Sequence, residues 1–196
     1  MDTYRHGCEG VCPSWETVRF GKICAIPKGK QLNVANMKDD GAYYALNGGI
    51  EPSGRTDDWN TEAETITISE GGNSCGYVNY NTERFWSGGH CYALLNLKKN
   101  VCKRYLYFYL KRHEPKLMKL RVGSGLPNIQ KKDVEKFIVA LPPFPEQQQI
   151  DETLSTARQE IDLLKQLAEK CKTQKRGLMQ KMLTGEWRVK PEIVNQ

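Results

Sequence analysis

Between residues 15 and about 140 the apolar residues fall in short runs broken by Gly-rich or Asn/Asp-rich punctuation, a pattern that predicts short strands and turns with few long helices. GAYYALNGGIEPSG, TITIS and GGNSCGYVNYN are examples. In Thr65-Ile66-Thr67-Ile68-Ser69 the β-branched residues alternate with period two, so one face is expected in a core and the other in solvent. Gly71, Gly72 and Gly76 then mark tight turning. At VCKRYLYFYLKRH, Val101, Leu106 and Leu110 interleave with aromatics between paired cations, a spacing that both a helix and a buried strand accommodate.

The pattern changes at Leu141-Pro142-Pro143-Phe144-Pro145, where the prolines predict a rigid extended connector. Pro145 suits the first position of a helix, because the amide hydrogen it lacks would have no partner there. From Glu146 the chain reads as one helix ending near Thr184, with Gly185 as a left-handed cap. Apolar or small residues recur at spacings of four and three: Ile150, Leu154, Ala157, Ile161, Leu164, Ala168 and Cys171, then Leu178 and Met182, with Lys175 the exception. Sustained over more than four heptads, this is a coiled-coil seam. A helix of about 39 residues would be roughly 60 Å long, more than a domain of about 140 residues with a radius of gyration near 14 Å can cover, so the seam is expected to pair with a second helix. The expected fold class is α+β: a strand-rich globular domain over residues 1–141, a connector over 142–145, a long helix over 146–184 and a tail over 185–196.

Composition narrows the class. With 196 residues, 39% hydrophobic and 27% charged, the chain suits one soluble domain with an appendage. There is no run of about 18 apolar residues, and the opening MDTYRHGCEG is polar, so neither a membrane span nor a secretory leader is read there and the cytoplasm is the expected compartment. Cys8, Cys12, Cys24, Cys75, Cys91, Cys102 and Cys171 are odd in number and contain no C-x-x-C pair, which argues for reduced thiols rather than a disulfide framework. His6, Cys8 and Cys12 could share a metal in principle, but the spacing is loose and no second ligand pair follows; no metal and no cofactor are expected.

Charge distribution says more than the net +6. Residues 98–136 hold twelve Lys or Arg against Glu114, Asp133 and Glu135, a local balance of +9 that leaves −3 for the rest. Such a block suits a polyanion, since cations that neutralise phosphates release counterions; a solvated face is the plain alternative. Leu141-Pro142-Pro143-Phe144 has the outline of the Asn/Asp-Pro-Pro-aromatic motif of amino-methyltransferases, but leucine cannot accept a hydrogen bond from a target amino group. Gly71-Gly72 and Gly123-Ser124-Gly125 lack the surroundings of a nucleotide fold, and no catalytic residue is assigned. A coiled-coil scaffold or regulator without a DNA role would explain the seam and leave the basic block unexplained.

Two terminal stretches, IVALPPFPEQQQIDETL and KRGLMQKMLTGEWRV, resemble those of type I restriction-modification specificity subunits. The matching positions are Leu141, Pro142, Pro143, Glu146, Gln147 and Ile150 at one end, and Leu178, Met179, Gln180, Leu183, Thr184, Gly185, Arg188 and Val189 at the other. WETVRFGKICAIPKGK, YYALNGGIEPSGRTDDWN, ITISEGGNSCGYVNY and VGSGLPNIQKKDVEKF also look like landmarks of that family's target-recognition domain. The resemblance implies a non-catalytic subunit that reads double-stranded DNA and docks two methyltransferase (modification) subunits and, in the full complex, a restriction subunit. Family members typically carry two recognition domains and two spacer helices. This sequence has one of each, so a half-subunit or a fragment is expected, with a homodimer or a second half-subunit rebuilding the symmetry.

Candidate DNA contacts are Lys28 and Lys30 after Pro27, Arg55 after Gly54, Lys116, Lys119 and Arg121 before the Gly123-Ser124-Gly125 turn, and Ser124, Asn128, Lys131 and Lys132 in and beyond it. For each of them an ordinary solvated residue is the rival reading. Tyr105, Tyr107 and Phe108 are expected in the core rather than as stacking platforms.

Overall fold

Strand β1 (Glu16–Arg19) pairs antiparallel with β8 (Ile138–Leu141), Glu16 opposite Leu141, so both ends of the strand-rich region meet in a single ladder. The computed structural model describes residues 14–123 and 125–189; His6, Cys8, Cys12 and Ser124 lie outside them. Two three-stranded sheets fill the interval. In one, β2 (Tyr43–Leu46) lies between antiparallel β3 (Gly54–Thr56) and parallel β6 (Phe85–Ser87). In the other, β4 (Thr65–Ser69) lies between β5 (Val78–Asn81) and β7 (Cys91–Ala93), both antiparallel to it.

The alternation in β4 predicted one wet face, yet all five of its residues are buried. A central strand covered on both sides needs partners for its hydroxyls, and these are present. Thr65 donates to the Glu62 carbonyl at 2.8 Å, the Asn81 amide donates to Thr67 at 3.1 Å, and Ser69 donates to the Gly48 carbonyl.

VCKRYLYFYLKRH resolves as helix α1 (Lys103–Arg112), which turns Tyr105, Leu106 and Leu110 inward. The Tyr105 hydroxyl donates to the Ala140 carbonyl at 2.7 Å. Tyr107 is half-buried and packs against the core, and Phe108 stacks obliquely on it. Helices α2 (Glu114–Met118) and α3 (Lys131–Lys136) add Leu117 and Val134 to a core built on Phe20, Ile26, Ile66, Ile68 and Tyr92. A separate small cluster, Leu46, Phe85 and Cys91, supports the β2 sheet, with Tyr44 stacked on Phe85.

Helix α4 spans Phe144–Leu183. It begins earlier than the proline pattern suggested: Leu141 closes a strand, only Pro142 and Pro143 connect, and Pro145 falls second in the helix. The first helical turn has no intrahelical acceptors for its amides, so a proline there breaks nothing. Gly185 follows with φ 77°, the left-handed cap the sequence predicted. The chain divides into two units, one through Asp151 and one from Glu152 onward. The helix start therefore belongs to the first unit, held by Gln147. That side chain is almost fully buried, and its amide donates to the carbonyls of Asn100 and Pro142 at 3.1 and 2.9 Å. Among the described residues no helix is long and apolar enough to cross a membrane.

Candidate nucleic-acid interface

Four loops converge where β4 ends. Glu70, the next residue, is buried, and its backbone N–H donates to the His90 carbonyl at 2.9 Å while its carbonyl accepts from Ile129 at 2.8 Å. Gly72 N–H donates to the Pro127 carbonyl at 2.9 Å, and Val122 and Asn128 exchange backbone bonds at 2.8 and 3.0 Å. Gly76, at φ 90°, approaches Met118 so closely that a Cβ there would sit 2.8 Å from its Cα, which brings α2 against the same turn. The 27–30 loop joins through Gly29 and Lys30, whose N–H groups donate to the carbonyls of Cys91 at 2.9 Å and Ser87 at 2.8 Å, so the segments carrying the sequence candidates at 28–30, 116–121 and 128–132 meet near one strand end.

Their environments differ. The side chains of Lys116, Lys119, Arg121 and Lys132 are exposed and make no hydrogen bond or ion pair among the described residues, although the backbone N–H groups of the first three donate to the carbonyls of His113, Pro115 and Met118. Lys30 is exposed, and only its backbone is engaged, with Ser87 and Trp86. Lys131 pairs with Glu135 at 3.6 Å across one helical turn, and Asn128 accepts from the Gln130 amide at 2.8 Å. Lys28 instead pairs with Glu70, whose other carboxylate oxygen meets His90 Nδ1 at 3.1 Å. Tyr92 lies under Lys28, 5.9 Å from ring centre to Nζ, and donates its hydroxyl to the Ile129 carbonyl at 3.0 Å. Burial pushes that phenol up to about 12, which keeps it a neutral donor. Arg55 lies apart from this group: in β3 its guanidinium donates to the carbonyls of Gly41 at 2.6 Å and Ala42 at 3.0 Å.

Part of the basic block has structural work. Lys111 donates to the Val78 carbonyl at 3.0 Å, pairs with Glu114 at 2.6 Å and sits 3.7 Å over the Tyr77 ring. Sequence reasoning passed over Glu70 and His90. An acidic residue closing an apolar strand before Gly-Gly is a weak signal for the first, and nothing in the sequence links the two. Among the described residues no group of three His, Cys, Asp or Glu is placed to hold a metal ion.

On α4 the seam is not uniform. Ile150 packs against the domain core, while Leu154, Ala157, Ile161, Leu164, Ala168, Cys171, Leu178 and Met182 are exposed. Leu163 and Leu167 are exposed beside them.

A strand-rich α+β body with cationic side chains near one strand end, followed by a long helix carrying an exposed apolar stripe, is the layout of a recognition domain with an appended helix. The chain belongs to the family described as type I restriction modification DNA specificity domain, which matches residues 13–173. It is 32% identical over 158 residues to a chain named as a type I specificity subunit of Mycoplasma pneumoniae, covering 80% of this chain and 42% of that one. It is 28% identical over 195 residues to the type I restriction enzyme MjaVIII specificity subunit of Methanocaldococcus jannaschii, covering 91% and 44%. The crystal structure of a type I restriction-modification system S subunit from M. genitalium superposes with a TM-score of 0.76 at 26% identity, covering 92% of this chain and 48% of that one. This chain thus spans less than half the length of these relatives.

Proposed function

We propose that the chain reads one half of a split double-stranded DNA target for a type I restriction-modification assembly. It carries out no chemistry itself, and it docks modification subunits and, in the complete assembly, a restriction subunit. The observation that carries the reading is that the segments bearing Lys28, Lys30, Lys116, Lys119, Arg121, Asn128, Lys131 and Lys132, loops together with the short helices α2 and α3, meet around the end of β4, in a chain of the DNA specificity family. Loops held on a strand end position side chains at base edges, and the unpaired cations beside them neutralise phosphates.

The exposed stripe on α4 supports pairing with a second helix, supplied by another copy of this chain or by a second half-subunit. An antiparallel pair would act as a ruler between two recognition domains. At 1.5 Å per residue the 40-residue helix is about 60 Å long, which at about 3.4 Å per base pair separates two half-sites by roughly 17 base pairs at most. Two identical copies would read a palindromic split site.

The test is methylation of a mixed-sequence duplex. The chain alone transfers no methyl groups; with its cognate modification subunit and a methyl donor it directs adenine methylation to one sequence. Methylation that ignores sequence would refute the reading.

A further inference from the structure

Among the described residues, Glu70 is a candidate-loop carboxylate that the fold both buries and shares between two outward-reaching side chains. Its side chain is 10% exposed, those of Lys28 and His90 are 48% and 61% exposed, and each takes one of its oxygens. Burying a carboxylate is costly unless its partners are fixed, and in return it fixes them. Lys28 is further constrained by the Tyr92 ring, whereas the exposed side chains of Lys116, Lys119, Arg121 and Lys132 make no hydrogen bond or ion pair among the described residues.

This arrangement separates two jobs. A lysine compensated by a buried carboxylate contributes little to counterion release, because its charge is already balanced. It is well suited to the other job. Of its three ammonium hydrogens one goes to Glu70, and two remain for a pair of acceptors, the pattern that guanine O6 and N7 present in the major groove. With Nδ1 held on the carboxylate, the opposite ring nitrogen of His90 is available beside it.

We infer that Lys28, Glu70 and His90 form the base-reading element of the domain: Lys28 contacts a guanine edge, His90 contacts the adjacent position, and Glu70 is the positioning residue for both. The free cations at Lys116, Lys119, Arg121 and Lys132 supply affinity for the phosphate backbone. This inference rests on the DNA-reading function proposed above.

It is tested by selecting bound duplexes from a random-sequence pool, with the full chain and its cognate modification subunit, and by measuring the salt dependence of binding to an unselected duplex. Wild type is expected to yield a consensus containing guanine. Lys28→Met reduces the preference for that guanine about tenfold or more and leaves the salt slope unchanged. His90→Ala relaxes the neighbouring position. Glu70→Gln relaxes both and, by releasing the Lys28 charge, strengthens binding to unselected duplex two- to fivefold, by rough estimate, where a merely structural lesion would weaken it. Lys119→Ala keeps the consensus, weakens binding to all sequences and lowers the salt slope by about 0.9.

An unchanged consensus in Lys28→Met and His90→Ala, both substitutions of exposed side chains, would overturn the inference even if Glu70→Gln failed to fold. Loss of a preference for a base other than guanine in Lys28→Met would overturn it too. If wild type with its modification subunit selects no sequence at all, the DNA-reading function itself fails, an outcome distinct from the others.

Discussion

The side-chain carbonyl of Gln147 accepts a hydrogen bond from the backbone N–H of Cys102 at 2.8 Å, tying the first turn of α4 to the residue that precedes α1. The same amide donates to Asn100 and Pro142, so one buried side chain satisfies three main-chain groups.

Replacing Gln147 with leucine keeps the bulk and strands all three groups. Each buried polar group left unpaired costs about 1–3 kcal/mol. Gln147→Leu is therefore expected to destabilise the domain by about 3 kcal/mol, which for a chain of this size lowers Tm by roughly 6–12 °C. Thermal and urea denaturation followed by circular dichroism measure this; a change below about 1 kcal/mol would mean that the three bonds are dispensable.

Leu154→Glu and Ile161→Glu place charges on the exposed stripe and should abolish pairing of α4 while the first unit keeps its melting transition. Ile150→Glu should behave differently, because Ile150 packs on the core: it lowers the stability of the domain itself. Sedimentation equilibrium alongside thermal melting separates the two effects. A strict monomer at micromolar concentration in wild type would refute self-pairing.

Thiol reactivity should follow burial. Desolvation pushes the thiols of Cys24 up to about 12 and Cys91 up to about 11, so near pH 8 neither offers the thiolate that an alkylating reagent needs. Cys171 is exposed on the seam. Peptide-resolved mass spectrometry after brief iodoacetamide treatment should find Cys171 labelled and Cys24 and Cys91 intact. Labelling of Cys171 should slow as protein concentration rises and the stripe is covered; a rate independent of concentration would count against pairing through that face.

Alkali should unfold the domain. Burial pushes the phenols of Tyr44, Tyr80 and Tyr92 up to about 12, and Tyr105 is raised by the same cause. In the unfolded chain these groups ionise near pH 10. Above about pH 10 the unfolded chain thus binds fewer protons than the folded one, and stability falls as pH rises from about 10 toward about 12. Tyrosinate absorbance from the buried set should appear only with the unfolding transition. A single smooth titration with the fold intact would contradict this burial.

The helix and its ends were the most legible parts of the sequence, because heptad spacing, a proline run and a terminal glycine are local signals. VCKRYLYFYLKRH was ambiguous because aromatic residues hide the period; long-range packing, such as the contact of Tyr105 with Ala140, 35 residues away, decides which face turns inward. β4 misled in one respect: threonine alternation looks amphipathic, yet Asn81 and the Glu62 carbonyl supply the partners that let both faces be covered. At the candidate site, the cations were visible as charges and their status was not. Lys111 is held by its neighbour Glu114 and by the Val78 carbonyl, and Lys28 by Glu70, 42 residues away, which only the fold brings to it.

The pairing of β1 with β8 has a genetic consequence. Everything from Phe20 to Phe137 departs from one short ladder and returns to it, and the backbone bond from Phe20 to Phe137 at 2.8 Å closes the circuit. A segment with adjacent ends can be exchanged for another of different sequence without moving what precedes or follows it. Crossovers placed at Glu16–Arg19 and Ile138–Leu141 would then transplant the whole intervening segment, with its cationic loops, onto an unchanged helix. On the DNA-reading function proposed above, new target preferences would arise by recombination of intact cassettes, with no need for the stepwise repair of a half-altered loop cluster.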